Sequence, residues 1–322
     1  MENKLVLIDG NSILNRAFYG VPDLTNREGL HTNAIYGFLN ILFKILDEEE
    51  PSHLLIAFDE KAPTFRHKMY EEYKGKRKPM PAELSEQVPV IRNLLQVMNI
   101  RIYAEEGIEA DDILGTMAKK AEQEGYLVSI VSGDRDLLQL ATDTILVRIP
   151  KTSRGKTVVE DYHTPQVIEK YSVTPSQIID LKGLMGDASD NIPGVPGIGE
   201  KTAVKILTMF GTVENAIEHV DEVGIFKDIR HFPGRKQILY VLRNPRGNAA
   251  PFAEAFPDFH AVGRRLFLFQ EKVEFVHIVP GGFAHGAVGG HTAPHLILYN
   301  EHSQLFQLLA QLLDVIADQP VI

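Results

Sequence analysis

The chain has 322 residues, a formal net charge of −10 at neutral pH and no cysteine. That length accommodates one large core or two domains, and the missing thiols exclude disulfides, thiolate zinc sites and cysteine nucleophiles. Any metal must be held by oxygen or imidazole. No apolar run approaches the ~18 residues needed to cross a bilayer. No charged-then-apolar leader opens the chain, so the expectation is a monomeric cytoplasmic protein without a membrane partner. The charge is unevenly spread: residues 1–224 hold 24 Lys and Arg against 35 Asp and Glu, whereas residues 225–322 hold 9 against 8. Acids that bind divalent ions offset their own charge locally, so the acidic balance is no bar to a phosphate-bearing partner.

Residues 4–9 form an apolar run that ends in Asp9, and residues 53–59 repeat the arrangement with Asp59. Between them Ile35, Phe38, Leu39, Leu42, Ile45 and Leu46 recur at helical spacing, predicting a strand, helix, strand crossover of right hand with parallel strands. From residue 66 to residue 81 cations alternate with aromatics, Arg66, Tyr70, Tyr73, Lys74, Lys76, Arg77 and Lys78 among them, before prolines stop regular structure. A charge run alone reads as a solvated loop. Cations for phosphates beside tyrosines for base stacking are, however, what single-strand binding uses. Residues 83–98 return to helical periodicity, and residues 100–103 predict a short strand.

The densest chemistry lies in residues 105–136. Glu109, Asp111 and Asp112 open an apolar-periodic helix carried by Ile113, Leu114, Met117, Ala118 and Ala121 and stopped at Gly125. A β-branched strand follows over residues 127–131, then Ser132, Gly133, Asp134, Arg135 and Asp136. Three strands thus each deliver a carboxylate to the carboxyl edge of a parallel sheet, where ligands bind in open α/β folds. Asp111 and Asp112 alone could be first-turn acids favoured by the helix dipole. With Asp9, Asp59 and Asp134 converging on the same edge, mutual repulsion instead calls for hard divalent ions such as Mg²⁺ or Mn²⁺.

Beyond Asp136, residues 145–149 and 157–160 predict two edge strands around a basic turn, and Thr164-Pro165 and Thr174-Pro175 announce two short helices. The next stretch, residues 183–203, holds Asp187, Asp190, Gly194, Gly197, Gly199, Lys201 and Thr202. It is not a phosphate loop of the triphosphatases, because Glu200 follows Gly199 where lysine is required and prolines preclude the preceding strand. It reads as helix, glycine hairpin, helix, with backbone amides facing a phosphate and gripping duplex backbone without base readout. Asp187 and Asp190 add two potential ligands.

Taken together these motifs, over residues 1 to about 223, resemble the 5′ nuclease family, to which the N-terminal 5′→3′ exonuclease domain of bacterial DNA polymerase I and the flap endonucleases belong. The resemblance implies a mostly parallel, PIN-like α/β core with a helical DNA-binding subdomain: a catalytic domain over 1–172 with a basic arch at 66–81, and a helix–three-turn–helix region over 173–223. It implies that Asp9, Asp59, Glu109, Asp111, Asp112, Asp134, Asp136, Asp187 and Asp190 surround two divalent ions, and that Lys74 and Arg77 serve catalysis. Arg66, Tyr70, Tyr73, Lys76, Lys78 and the hairpin residues are then the DNA contacts, with K⁺ at the hairpin carbonyls. The implied substrate is DNA with a 5′ end, nick or flap, or an RNA primer strand, and the implied setting is replication and repair.

From Gly224 onward the chain carries seven of its twelve histidines, and its glycine-rich stretches do not map onto the motifs of that family. A shifted frame or truncated gene copy accounts for the change most simply, a divergent domain next. Residues 305–316 could form an amphipathic helix. Two other functional classes stay open at this point: an inactive structure-specific DNA-binding protein, and a PIN-like RNA hydrolase or metal phosphatase.

Overall fold

The computed structural model describes residues 3–153, 156–195 and 197–219. The tail from Gly224, with the helix expected over 305–316, lies outside the described residues. Within them, a six-stranded sheet runs in the order β3-β2-β1-β4-β5-β6. Its strands are β1 (Lys4–Asp9), β2 (His53–Ala57), β3 (Arg101–Tyr103), β4 (Leu127–Val131), β5 (Ile145–Ser153) and β6 (Lys156–Tyr162). All neighbours pair parallel except β5 and β6, which are antiparallel.

Helix α1 (Gly10–Gly20) leaves β1 directly, and α2 (Asn33–Glu49) carries the crossover to β2. Successive strand side chains point to opposite faces. Val6, Ile8, Ile56 and Val131 therefore pack with Ile13, Phe38, Leu42 and Ile45 on one side of the sheet. Leu5, Leu7, Leu55, Val128, Ile130 and Val147 pack on the other against α6 (Ala110–Gln123) and the later helices. Both faces are covered, which is why the central strands read as continuous apolar runs rather than alternating ones.

Two sequence expectations shift. A short helix α3 (Phe65–Met69) follows β2, and the helix expected over 83–98 is α4 (Ala82–Ser85) and α5 (Gln87–Val97), with Glu86 between them. Pro89 supplies no amide for the Ser85 carbonyl, so the ladder breaks there. Gln87 turns inward, its Oε1 accepting the amides of Ala34 at 2.9 Å and Ile35 at 3.2 Å. The pair expected as edge strands has only β6 at the edge, whereas β5 lies inside between β4 and β6. Arg148 interrupts the apolar pattern of β5 because it faces the opposite side, where it bonds buried Glu49 at 2.6 Å. Lys4 and Ser129 reach the same carboxylate.

Past β6 come α7 (Thr164–Tyr171), a 3-10 turn at Pro175–Gln177 and α8 (Ile178–Met185). A two-residue ribbon, β7 (Gly186–Asp187) with β8 (Ile192–Pro193), then leads to α9 (Glu200–Phe210) and α10 (Val213–Glu218). This is the expected helix, glycine hairpin, helix. Gly186 has φ +78°, and a Cβ there would lie 2.3 Å from the Gly194 nitrogen, so two backbones touch where any side chain would separate them. No helix among the described residues is long and apolar enough to cross a membrane.

Candidate active site

The strand order reverses at β1, which has β2 on one side and β4 on the other, and the crevice outside such a switch point is where open α/β sheets bind ligands. Asp9 ends β1 there and caps α1, its Oδ1 accepting the Ser12 amide at 2.9 Å. Gly10 must follow it: a Cβ at that position would fall 2.5 Å from the Phe58 ring. Ser132, just past β4, donates its hydroxyl to Asp9 Oδ2 at 2.8 Å and accepts the Asp134 amide at 3.0 Å, tying the two strand ends together. Asp59, two residues past β2, accepts the Ala110 amide at 2.7 Å and so joins that strand to the start of α6, which presents Asp111.

The nine acids do not form one cage. They sort into three groups by what neutralises them. Glu109, Asp112 and Asp190 are held by cations of the 66–78 segment. Arg66 makes two bonds to Asp112, at 2.7 and 2.8 Å, Lys74 reaches Glu109 at 2.8 Å and Arg77 reaches Asp190 at 2.6 Å. Asp136 and Asp187 share Lys182. Asp9, Asp59, Asp111 and Asp134 are reached by no ion pair among the described residues.

Electrostatics follow that division except at Asp136, which is raised although Lys182 reaches it. Burial pushes Asp9 up to about 7, with repulsion from Asp59 and Asp134 adding to it and the Ser12 and Ser132 bonds opposing. Asp111 is raised well above the carboxylate range by burial first, then by Asp134, Asp9 and Asp59. Asp59, though exposed, is raised by partial loss of water, against the pull of the Ala110 amide and Lys74. Asp136 rises to about 7 through burial and Asp134 despite Lys182. At Asp187 burial is outweighed by Lys182 and Ser189, which hold it below the ordinary range.

No three acids or histidines among the described residues close into a ready-made ion cage. The donor set nevertheless fits a hard divalent cation: four carboxylates, oxygen only, crowded at one sheet edge and destabilised by each other's charge. Asp111 accepts no hydrogen bond among the described residues, so its oxygens are open to a ligand.

The basic segment differs from its sequence reading. Arg66 is buried and belongs to the ion pair with Asp112, so it presents nothing to a nucleic acid. Asp112 is correspondingly spent on Arg66 and on the Glu109 amide at 3.2 Å, not open to a metal. Tyr73 is 3% exposed and packs with Ile179 and Ile192. Its hydroxyl donates to Glu109 at 3.1 Å and Asp190 at 3.0 Å, so no face is left for a base. Tyr70 packs partly buried against the same cluster, with its hydroxyl on Glu72. Lys74 sits in the left-handed region at φ +56°, its amide bonded to the Asp190 carbonyl, which stitches this segment to the hairpin. Lys76 and Lys78 are exposed, as are Gly197, Gly199 and Lys201; Gly194 and Thr202 are half-buried.

Three participants escaped the sequence reading. Asn11 donates to Asp59 at 3.3 Å, Ser132 bridges Asp9 to Asp134, and Lys182 neutralises the outer pair. Lys182 falls four residues before Gly186 inside a helix, and that spacing was its one sequence signal.

Comparisons with known proteins agree with this architecture. The family described as 5′-3′ exonuclease, N-terminal resolvase-like domain, matches residues 4–172, and its C-terminal SAM fold matches 173–239. DNA polymerase I of Bacillus caldotenax is 58% identical over 223 residues, and that of Bacillus subtilis 57% over 223 residues. Each alignment covers 69% of this chain and 25% of the relative, so the chain spans about a quarter of their length. A structure of T5 5′-exonuclease with divalent zinc ions aligns with TM-score 0.61 and 23% identity, covering 83% of this chain and 90% of that one. A T5 flap endonuclease complex with DNA and metal ions aligns with TM-score 0.57 and 24% identity, covering 74% and 87%.

Proposed function

Because the chain belongs to the 5′-3′ exonuclease family, we propose that it is a divalent-metal 5′→3′ exonuclease and flap endonuclease that hydrolyses DNA at a 5′ end, nick or flap. One observation carries the reading: four acids at the switch point lack a protein cation, while lysine and arginine stand beside them on a separate segment. That leaves a place for ions and an adjoining place for phosphate.

Asp9, Asp59, Asp111 and Asp134 would hold the ions, two Mg²⁺ or Mn²⁺. Such ions supply Lewis-acid polarisation of the phosphate and a lowered pKa for the attacking water. Asp136 and Asp187, shared by Lys182, take the outer share of that charge, and Glu109 and Asp190 orient Lys74 and Arg77. Lys74, whose charge is secured by Glu109 and Asp190 against the cost of burial, stabilises negative charge on the scissile phosphate, and Arg77 assists from the rim. Water oxygen bonds to phosphorus, the bond to the 3′ oxygen breaks, and that oxygen takes a proton, leaving a 3′-hydroxyl and a 5′-phosphate. The hairpin, exposed at Gly197, Gly199 and Lys201, grips duplex backbone through its amides and the start of α9, and its carbonyls would hold K⁺. The natural role is removal of flaps or RNA primers in replication and repair, by a monomer.

Asp134→Ala should abolish Mg²⁺-dependent cleavage of a 5′-flap DNA while leaving binding within a few-fold. Cleavage at the wild-type rate removes Asp134 from the machinery. Flap DNA, single-stranded RNA and a phosphomonoester compared side by side separate this activity from that of an RNA hydrolase or phosphatase. Binding without cleavage by the wild type would leave a structure-specific DNA-binding protein.

A further inference from the structure

Two residues that are not glycine occupy the left-handed region away from any helix end. Lys74 has φ +56° and Asn191 φ +57°, whereas Glu50, Asn99 and Ser172, the others among the described residues, follow α2, α5 and α7. Asparagine tolerates that backbone because its short polar side chain can bond locally, and lysine has no such help. A residue so placed persists only where its surroundings fix it, and such surroundings gather at functional sites. Lys74 is the lysine whose Nζ reaches Glu109 at 2.8 Å.

Its surroundings are the other left-handed residue. Asn191 ends the turn between β7 and β8, and its Nδ2 donates to the Glu72 carbonyl at 2.9 Å. That oxygen can only accept, so the amino end of the carboxamide faces it. The same carbonyl takes the Gly75 amide at 2.9 Å, and the Lys74 amide donates to the Asp190 carbonyl at 2.9 Å. Residues 72–75 and 190–191 therefore hold each other from both sides. One bond of the lock is main chain to main chain, where no side-chain substitution removes it; the Asn191 carboxamide is the part that can be taken away.

We propose that Asn191 is a positioning residue of the nuclease site: by holding the Glu72 carbonyl it keeps residues 72–75 in the turn that aims Lys74 at the scissile phosphate. The inference rests on the nuclease reading above and deepens it. Asn191 touches neither substrate nor the reacting atoms. Because it belongs to the hairpin, the lock joins the element that grips duplex to the lysine that acts on the phosphate. The difference from a merely structural role is kinetic. A hairpin misshapen by loss of Asn191 would hold duplex less well and raise KM, whereas a misdirected Lys74 lowers kcat.

The test measures kcat and KM on 5′-flap DNA in Mg²⁺ for wild type, Asn191→Gly, Lys74→Ala and the double variant. Glycine keeps the left-handed backbone and removes only the carboxamide. Loss of one hydrogen bond of ordinary strength should lower kcat roughly fivefold to tenfold, with KM within about twofold. In the Lys74→Ala background the same change should cost less than about twofold, because its effect runs through the lysine. Wild-type kinetics in Asn191→Gly, an equal loss in both backgrounds, or a raised KM at unchanged kcat overturns the positioning role. Circular dichroism establishes that Asn191→Gly folds; if it does not, Asn191→Asp, which tolerates the same backbone and lacks the donor, carries the comparison with the same expected pattern. Failure of the nuclease reading shows separately, as no metal-dependent cleavage by wild type. Exchange of the Lys74 amide hydrogen then decides: a rate about fivefold faster in the variant than in wild type supports the lock, and equal rates overturn it.

Discussion

Arg66→Met separates a structural cation from a DNA-binding one within a single basic segment. The guanidinium and the Asp112 carboxylate are joined by two bonds, and their side chains are 5% and 2% exposed. Removing one partner of such a pair leaves the other charge buried and alone, at a cost of about 3–5 kcal/mol. Asp112 also holds the Glu109 amide, and Glu109 lies 3.2 Å from the same guanidinium, so the start of α6 shares the damage. At about 2–4 °C per kcal/mol for a domain of this size, the melting temperature should fall by roughly 6–20 °C. Urea and thermal unfolding of Arg66→Met, Asp112→Asn and the double variant provide the assay, and the double variant should lose less than the sum because no lone charge remains. Below the variant's melting temperature, the salt dependence of DNA binding should match wild type, since a cation already paired with Asp112 releases no counterion. Wild-type stability together with a slope smaller by about one phosphate contact would refute the reasoning and return Arg66 to the DNA.

Three further outcomes follow from the same site. Asp9 and Asp136 titrate near 7 in the folded chain, against 3.8 for an unperturbed carboxyl, so the native state binds more protons across that window. Without divalent ions, stability should therefore fall by on the order of a few kcal/mol as pH rises from 4 to 7, and added Mg²⁺ should oppose the fall; melting temperatures that climb with pH and ignore Mg²⁺ contradict this. Lys74→Ala should slow cleavage and flatten the salt dependence of binding by about 0.7–0.9 in slope, whereas an unchanged slope means that Lys74 only neutralises Glu109. Gly186→Ala forces a side chain into a left-handed backbone against Gly194, so limited proteolysis should cut the hairpin region faster than in wild type; an unchanged pattern argues that the ribbon tolerates separation.

The fold was legible because both faces of the sheet are buried: continuous apolar runs at β1, β2 and β4 announce interior parallel strands, and helical spacing at Ile35 to Leu46 announces the crossover. What stayed illegible depends on partners distant in the chain. Tyr73 and Arg66 look like a nucleic-acid surface in one dimension, since nothing local to them reveals Asp190, 117 positions away from the tyrosine, or Asp112. Arg148 disguises the interior place of β5 for the same reason, its acid lying at the end of α2. Long-range charge pairing sets these identities, and neither period nor propensity records it.

The acids make the complementary point. Nine carboxylates in an acidic chain are no evidence of a metal until the cations are assigned, because a buried carboxylate with its own lysine or arginine already has what it needs. Lys182 removes two acids from the tally and the segment from Arg66 to Arg77 removes three. The four left over are those for which folding provided hydrogen bonds and no ion pair, or, at Asp111, neither. Their mutual repulsion is sustained by the interior packing of β1, β2, β4 and α6, which cannot move apart without opening both cores. Divalent cations brought to the four acids would neutralise them where the protein supplies no ion pair.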